Sequence, residues 1–364
     1  MIMNGEIIYL FIYSTGTKFT DEQLKGLLKN PENFSKYEYA RPKPEEIASF
    51  NMPTIFNLKE DTYIDQEELL KFKVQVAVYN SGSFSLRFRC QVLSSDLSRV
   101  LEITFDKKIN EFLTVAAARE KAKVEKALAK IASISTSEYD ERYRIYYIEG
   151  EKQRIVDRNR KLIAGLLIDE PNPASLSEKY TEEVLSRSMS YSSLDAVFVG
   201  WESSVMIDKS RKYEHELLVG EIANVQLLQM RISHRATSEK ISETEARMIK
   251  VLEEKRSPGK SLKELDLQLG KFYDETRDMV NYVDDTLSGF GEWYILKLYA
   301  LYDDVFKISK WKKSVEDDLD IIDKRWEFVT EMMRNRRSDL LELVVIALIV
   351  IEVVLEIILI LKPV

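Results

Sequence analysis

The chain has 364 residues, 31 % of them charged, and a formal net charge of −8. That balance excludes a global positive field for nucleic acid or anionic lipid, and the length admits two domains or one domain with an elongated helical part. A single cysteine, Cys90, excludes an internal disulfide and any cysteine-based zinc site, as suits a reducing compartment.

In chain order, residues 6–13 (EIIYLFIY) form a β-branched and aromatic run that predicts a first strand. The N-terminal stretch lacks a basic region and a small-residue cleavage site, so it does not read as a signal peptide. A short helix is expected over 21–30, and residues 31–60, which carry Pro31, Pro42, Pro44 and Pro53, read as an irregular surface wrap. The segment VQVAVYNSGSFSLRFRCQV alternates apolar and polar residues about Asn80-Ser81-Gly82 and predicts a β-hairpin. Ile109, Phe112, Leu113, Ala116, Ala117 and Val124 fall at helical spacing and predict a helix over 107–132. A strand over 143–150, helices near 153–167 and 174–190, and a hairpin or bent strand over 195–208 complete a mixed, mainly antiparallel α+β unit, 1–208.

From Ser210 strand signals vanish, and three long helical stretches remain, broken at Ser257-Pro258-Gly259 and Gly289-Phe290-Gly291. Leu301, Ile308, Val315, Ile322 and Val329 recur every seven residues, as do Leu298, Val305, Lys312, Leu319, Trp326 and Met333. The preceding stretch carries its own seam: Leu262, Leu269, Thr276 and Val283 against Leu265, Phe272 and Met279. These seams predict long antiparallel helices over 209–339, closed within one chain as a coiled-coil-like bundle or between chains as a coiled coil.

Residues 340–361 (LLELVVIALIVIEVVLEIILIL) form an apolar run. As a helix it measures roughly 33 Å, against a hydrocarbon core of about 30 Å. The expectation is one C-terminal transmembrane helix. Arg334, Arg336 and Arg337 precede it and only Lys362 follows, which predicts a single-pass cytoplasmic-membrane protein with its large N-terminal domain in the cytoplasm. Glu352 and Glu356 share a face of this helix and Glu342 lies close to it; each costs about 2.5–3.5 kcal/mol at a bilayer centre, and each Leu, Ile or Val returns about 0.3–0.6. That acidic face reads as a helix–helix interface in a homo-oligomer, as an ion or proton path, or as a protonated and peripheral feature.

The ending RRSDLLELVVIALIVIEVVLEIIL, with Leu341, Ile346, Leu348, Ile349, Glu352 and Val353, resembles that of the "required for meiotic nuclear division" family, as do FVGWESSVMID and EIANVQLLQMR. The resemblance spans roughly residues 70–360. It implies an α/β domain joined to long helices and an apolar anchor, and a membrane-bound scaffold role; ribosome or RNA association rests on it alone.

Other motifs fall short of chemistry. Ser257-Pro-Gly-Lys-Ser261 lacks the first glycine of a phosphate-binding loop, having Glu254 there, and no strand precedes it. His215-Glu216 is followed by Val219 where a zinc protease needs histidine, and His234 lies 19 residues away; metal ligation through Glu214 or Glu221 is the remaining option. Asp303, Asp304, Glu316, Asp317 and Asp318 fall mostly on solvated helix faces. In the hairpin, Phe84, Leu86 and Phe88 alternate with Arg87 and Arg89, which separates stacking groups from charges and reads as a core face opposite a solvated one. No catalytic set, cofactor or metal is expected. The function expected is a non-enzymatic, membrane-anchored scaffold or homo-oligomerising protein, with no nucleic-acid partner. The alternative is a membrane-attached enzyme or nucleotide sensor whose polar lining would come from Trp201 and Glu202 facing Glu221, Asn224 and Gln226.

Overall fold

The computed structural model describes residues 3–27, 35–36, 53–65, 68–94, 96–135, 137–210, 213–253, 258–288 and 292–360. The strands are β1 (Met3–Ser14), β2 (Ser35–Lys36), β3 (Thr54–Asn57), β4 (Asp61–Asp65), β5 (Glu68–Tyr79), β6 (Ser83–Ser94), β7 (Asp140–Glu149), β8 (Ser188–Met189), β9 (Ala196–Val199) and β10 (Ser203–Asp208). The helices are α1 (Asp21–Leu27), α2 (Ser98–Phe105), α3 (Lys107–Leu128), α4 (Lys152–Ile168), α5 (Glu178–Ser186), α6 (Glu214–Glu253), α7 (Pro258–Ser288), α8 (Trp293–Phe306) and α9 (Ile308–Ile360). The architecture is α+β. Its compact units are Met1–Ile232 with Asn281–Trp311, and Ser233–Val280 with Lys312–Val364.

The first unit is built on one mixed sheet in the order β2-β3-β5-β6-β1-β7-β10-β9-β8, with β4 also on β5. Among the described strands only β7 and β10 pair in parallel; the other pairs are antiparallel. The hairpin at Asn80–Gly82 sets Tyr79 opposite Ser83, and Gly82 takes φ +87°, where an added Cβ would lie 2.4 Å from the Thr17 carbonyl oxygen. Residues 54–57, inside the stretch expected to be irregular, and residues 61–65 just after it are strands because β5 offers them a ladder. Residues 188–189, expected to be helical, pair with β9 as β8.

Alternation sorts the side chains onto two buried faces. Tyr9, Phe11, Phe72, Val76, Leu86 and Phe88 pack against α2, α3, α4 and α5 in the larger apolar core. Ile8, Leu10, Ile12, Ala77 and Ile145 point to the other face and are buried as well. That face carries Glu6, Gln75, Ser83, Ser85, Arg87 and Arg89 and is covered by the first half of α6 and by α8. Continuous apolar runs such as 6–13 follow from this: a strand covered on both sides has no solvent face to reserve for polar residues.

The second unit is a three-helix arrangement of α6, α7 and α9. Leu262, Leu265 and Leu269 of α7 pack on Ile322 and Val329 of α9, with Ile241 and Met248 of α6 alongside. Farther along, Val280 meets Val315 and Leu319. Rising numbers in α7 therefore meet falling numbers in α9, an antiparallel pair. The heptad pattern read as one seam over 298–333 is divided at Lys307, whose φ of +56° ends α8. Leu298 and Val305 are buried in the first unit, and Val315, Leu319, Ile322 and Val329 in the second. The breaks at 257 and 289–291 lie outside the described residues.

The expected transmembrane helix at 340–361 is corrected: among the described residues no helix is long and apolar enough to cross a membrane. Residues 308–360 form one continuous helix, and the glutamates interrupt its apolar part. Between Glu342 and Glu352 the unbroken apolar stretch is the nine residues 343–351, about 14 Å of helix against a hydrocarbon core of about 30 Å. The single-pass cytoplasmic-membrane localisation and the orienting role given to Arg334, Arg336 and Arg337 fall with that span.

Candidate functional site: an acidic pocket at the start of helix α6

Where β10 ends and α6 begins, the first unit holds a cavity of about 370 Å³. Its apolar floor comes from Ala196 and Val197 of β9 and Met206 and Ile207 of β10, all buried. Its polar wall comes from four separate segments: Asp195 before β9, Asp208 at the end of β10, His215 and Glu216 in the first turn of α6, and Glu292 before α8. Tyr191, Tyr213 and Tyr294 supply aromatic faces, and among the described residues no lysine or arginine lines the cavity.

Local contacts hold these groups. Asp195 caps its loop, accepting the Tyr191 N–H at 2.8 Å and the Ser192 N–H at 2.6 Å. Asp208 accepts the Ser210 N–H at 3.1 Å, and its backbone carbonyl accepts the Tyr147 hydroxyl at 2.8 Å. Tyr213 stacks on Tyr147 at 3.9 Å between ring centroids, and Tyr191 meets Tyr294 edge-on at 5.3 Å. Burial, then the charges of Asp208, Asp195 and Glu292 against an opposing backbone N–H, push the Glu216 carboxyl up to about 7. One oxygen of that carboxyl is buried with no hydrogen-bond partner among the described residues. Burial, followed by the charges of Glu216 and Asp195, raises the Tyr294 phenol.

The wall is anchored by ion pairs under α6. Arg87 donates from Nε to Glu221 at 2.9 Å and makes a second contact through Nη2, with both side chains fully buried. Arg89 donates to Glu6 at 3.0 Å and to Glu214 at 2.8 Å, and Tyr213 donates to Glu6. Gln229 donates to Ser83 at 3.1 Å. Arg87 and Arg89, expected on a solvated face, are therefore inside. The signal available in the sequence was Glu214 and Glu221, seven residues apart and so on one face of the helix.

The five residues of the expected polar lining do not converge. Trp201 is half-exposed in the β9–β10 turn, edge-on to Phe306 at 5.9 Å, and Glu202 beside it is exposed. Glu221 is committed to Arg87, the Asn224 side chain donates to the Gly220 carbonyl at 2.8 Å, and Gln226 accepts from Tyr299. Glu342 and Glu352 are exposed on α9, as is Arg334; the side chains of Arg336, Arg337 and Glu356 lie outside the described residues. His215 lines the pocket, whereas His234 belongs to the second unit, 3.1 Å from Asp318. Pro258 to Ser261 open α7, a helix start with no preceding strand among the described residues. Among the described residues no three His, Cys, Asp or Glu side chains are grouped to hold a metal ion.

The family described as "Uncharacterized protein MJ0711, N-terminal domain" matches residues 4–214, more than half of the chain, and the chain belongs to it. The uncharacterized protein MJ0711 of Methanocaldococcus jannaschii is 23 % identical over 312 residues, covering 82 % of this chain and 93 % of that protein. No solved structure matches. This membership replaces the resemblance to the "required for meiotic nuclear division" family, whose carrying residues were mostly an apolar ending that unrelated chains reach by composition alone. The matched stretch takes in the whole sheet and stops at the first residue of α6.

Proposed function

We propose that this member of the MJ0711 N-terminal-domain family is a non-enzymatic, self-associating scaffold whose copies pair through the C-terminal part of α9. The observation that carries the reading is the row of half-exposed apolar side chains on α9, from Leu341 and Leu343 through Val350 to Val354. The seam that serves the second unit through Val315, Ile322 and Val329 is interrupted by Arg336 and resumes in the same register at Leu343 and Val350. Its other line, Leu319, Trp326 and Met333, continues at Ala347 and Val354. Beyond Met333 no described residue of α6 or α7 covers it. The surface best matched to an unfinished heptad seam is the same seam on a second copy. Glu342 and Glu352 fall off the seam and stay at the rim of such a pair. Burying each half-exposed Leu, Ile or Val stabilises the pair by about 1 kcal/mol.

The test is the mass of the full-length protein by light scattering, beside Leu343→Lys/Val350→Lys and the off-seam control Glu352→Lys. A defined oligomer that only the seam variant dissociates supports the reading. A monomer, or an oligomer indifferent to the seam variant, refutes it. Co-flotation of the native chain with neutral vesicles, lost in the seam variant without any change of mass in buffer, would assign the surface to lipid instead.

A further inference from the structure

The first unit holds a second cavity, of about 230 Å³, with hydrogen-bond donors and acceptors on separate walls. The donor wall is β7. Arg142 and Arg144 stand two residues apart on it, opposite Phe11 and Tyr9 of β1, so both guanidinium groups leave the same face of the sheet. Arg142 rests over the Phe11 ring at 5.6 Å and gives Asp140 one hydrogen bond, from Nε at 3.2 Å. Arg144 is the more deeply set of the two and gives Asp169 one, from Nη2 at 2.6 Å. A guanidinium carries five N–H donors in a planar fork, so each arginine keeps donors for an oxyanion beside its aspartate. The α3 wall is the reverse. The Asn110 amide donates to the Thr104 and Asp106 carbonyls, at 2.8 Å each, which leaves its Oδ1 as an acceptor. Thr114 donates its hydroxyl to the Asn110 carbonyl at 2.8 Å, so that oxygen also remains only as an acceptor. Glu202, in the β9–β10 turn, adds an exposed carboxylate, and Phe11 and Leu113 supply apolar surface.

We propose that this cavity binds a free α-amino acid with a small aliphatic side chain. Its carboxylate lies on Arg142 and Arg144, its ammonium on Glu202, Asn110 and Thr114, and its side chain on Phe11 and Leu113. Charge selects the zwitterion. Asp140, Asp169 and Glu202 outnumber the two arginines by one, which opposes a simple anion, while the guanidinium groups lining the cavity oppose a simple amine. Geometry selects it too, because one wall offers planar N–H forks suited to a carboxylate and the other offers only oxygen acceptors suited to an ammonium. Size sets the limit: about 230 Å³ is the share of about eight waters at roughly 30 Å³ each, which suits a ligand of on the order of eight non-hydrogen atoms.

Isothermal titration of the full-length protein with L-alanine, L-valine and L-leucine at neutral pH tests the proposal. Two analogues of L-valine each lack one charge: 3-methylbutanoate has no ammonium and isobutylamine no carboxylate. At least one of the three amino acids is expected to bind one site per chain, and each analogue roughly tenfold more weakly than L-valine. Arg142→Gln and, on a different wall, Glu202→Gln should each weaken the amino acid by roughly tenfold. Both side chains are largely exposed, so the fold should survive, and far-UV circular dichroism checks it. The analogues probe the unaltered protein and keep the proposal falsifiable if a variant unfolds. No heat of binding from any of the three amino acids at about 10 mM overturns the proposal. So does either analogue binding as tightly as L-valine, which would make the cavity a plain anion or cation site. Affinity unchanged in either folded variant overturns it as well.

Discussion

Removing Glu221 tests whether the polar layer under α6 is organised as described. Arg87 and Glu221 are 1 % and 0 % exposed, and Arg87 has no other carboxylate within hydrogen-bonding distance among the described contacts. At about 4 Å between charge centres and an effective dielectric constant of about 20, their attraction is about 4 kcal/mol. Glu221→Leu leaves a buried guanidinium without a counter-charge, a loss of about 3–5 kcal/mol. At about 2–4 °C per kcal/mol for a unit of this size, Tm falls by about 6–20 °C. Arg87→Met/Glu221→Leu should recover most of that, because a buried ion pair exchanged for apolar side chains of similar volume is close to neutral. Two compact units make a single unfolding free energy ill-defined, so the readout is hydrogen exchange by mass spectrometry on peptides from β6 and the first half of α6. The reasoning is refuted if Glu221→Leu changes protection there by less than about 1 kcal/mol, or if the double variant is no better than the single one.

Glu216 predicts a pH dependence with a definite sign. Its folded carboxyl is raised to about 7 by burial and neighbouring acids, above its unfolded value, so the folded state retains a proton that the unfolded state gives up. Its contribution is fully present below about pH 4.5 and is lost as the pH rises through about 7. Glu216→Gln should therefore equal the parent at pH 4 and exceed it by about 2–3 kcal/mol at pH 8 in urea denaturation; equal stability at both would be wrong for this account. Gly220→Ala would place a Cβ 2.6 Å from the hydroxyl of buried Tyr302. Overpacking should exceed the gain in helix propensity, for a net loss of about 1–2 kcal/mol by thermal denaturation, and Tyr302→Phe in the same chain should restore most of it. Asp318→Ala removes the acceptor of His234 at 3.1 Å and of Thr237. Slower-exchanging amides of α6 within 233–253 should lose about 1–2 kcal/mol of protection, while those of β1 and β6 stay unchanged.

The residues alone determined whatever rests on periodicity inside one element. Alternation about Asn80-Ser81-Gly82 placed the β5–β6 hairpin, because its turn residues and its partner strands are neighbours in sequence. The 3.6-residue period placed α3, and Asp106, which accepts the Ile109 N–H at 2.9 Å, caps it from next door. Tertiary structure alone decided what depends on distant chain. β3 and β4 are strands because β5 pairs with them. β1 is central because β7, more than 120 residues later, completes its other side. Arg87 and Arg89 are internal because α6, rather than water, covers the second face of the sheet. A regular heptad count ran through 298–333, yet Lys307 turns the chain and sends the two halves to different cores, since a repeat specifies a stripe and not what covers it. The apolar ending read as a membrane span on mean hydropathy, and the glutamates that divide it along the helix leave it too short. The pocket was the least legible feature of all. Asp195, Asp208, Glu216 and Glu292 are unremarkable where they stand in the chain, and their charges act together only once the sheet and two helices bring four segments to one cavity.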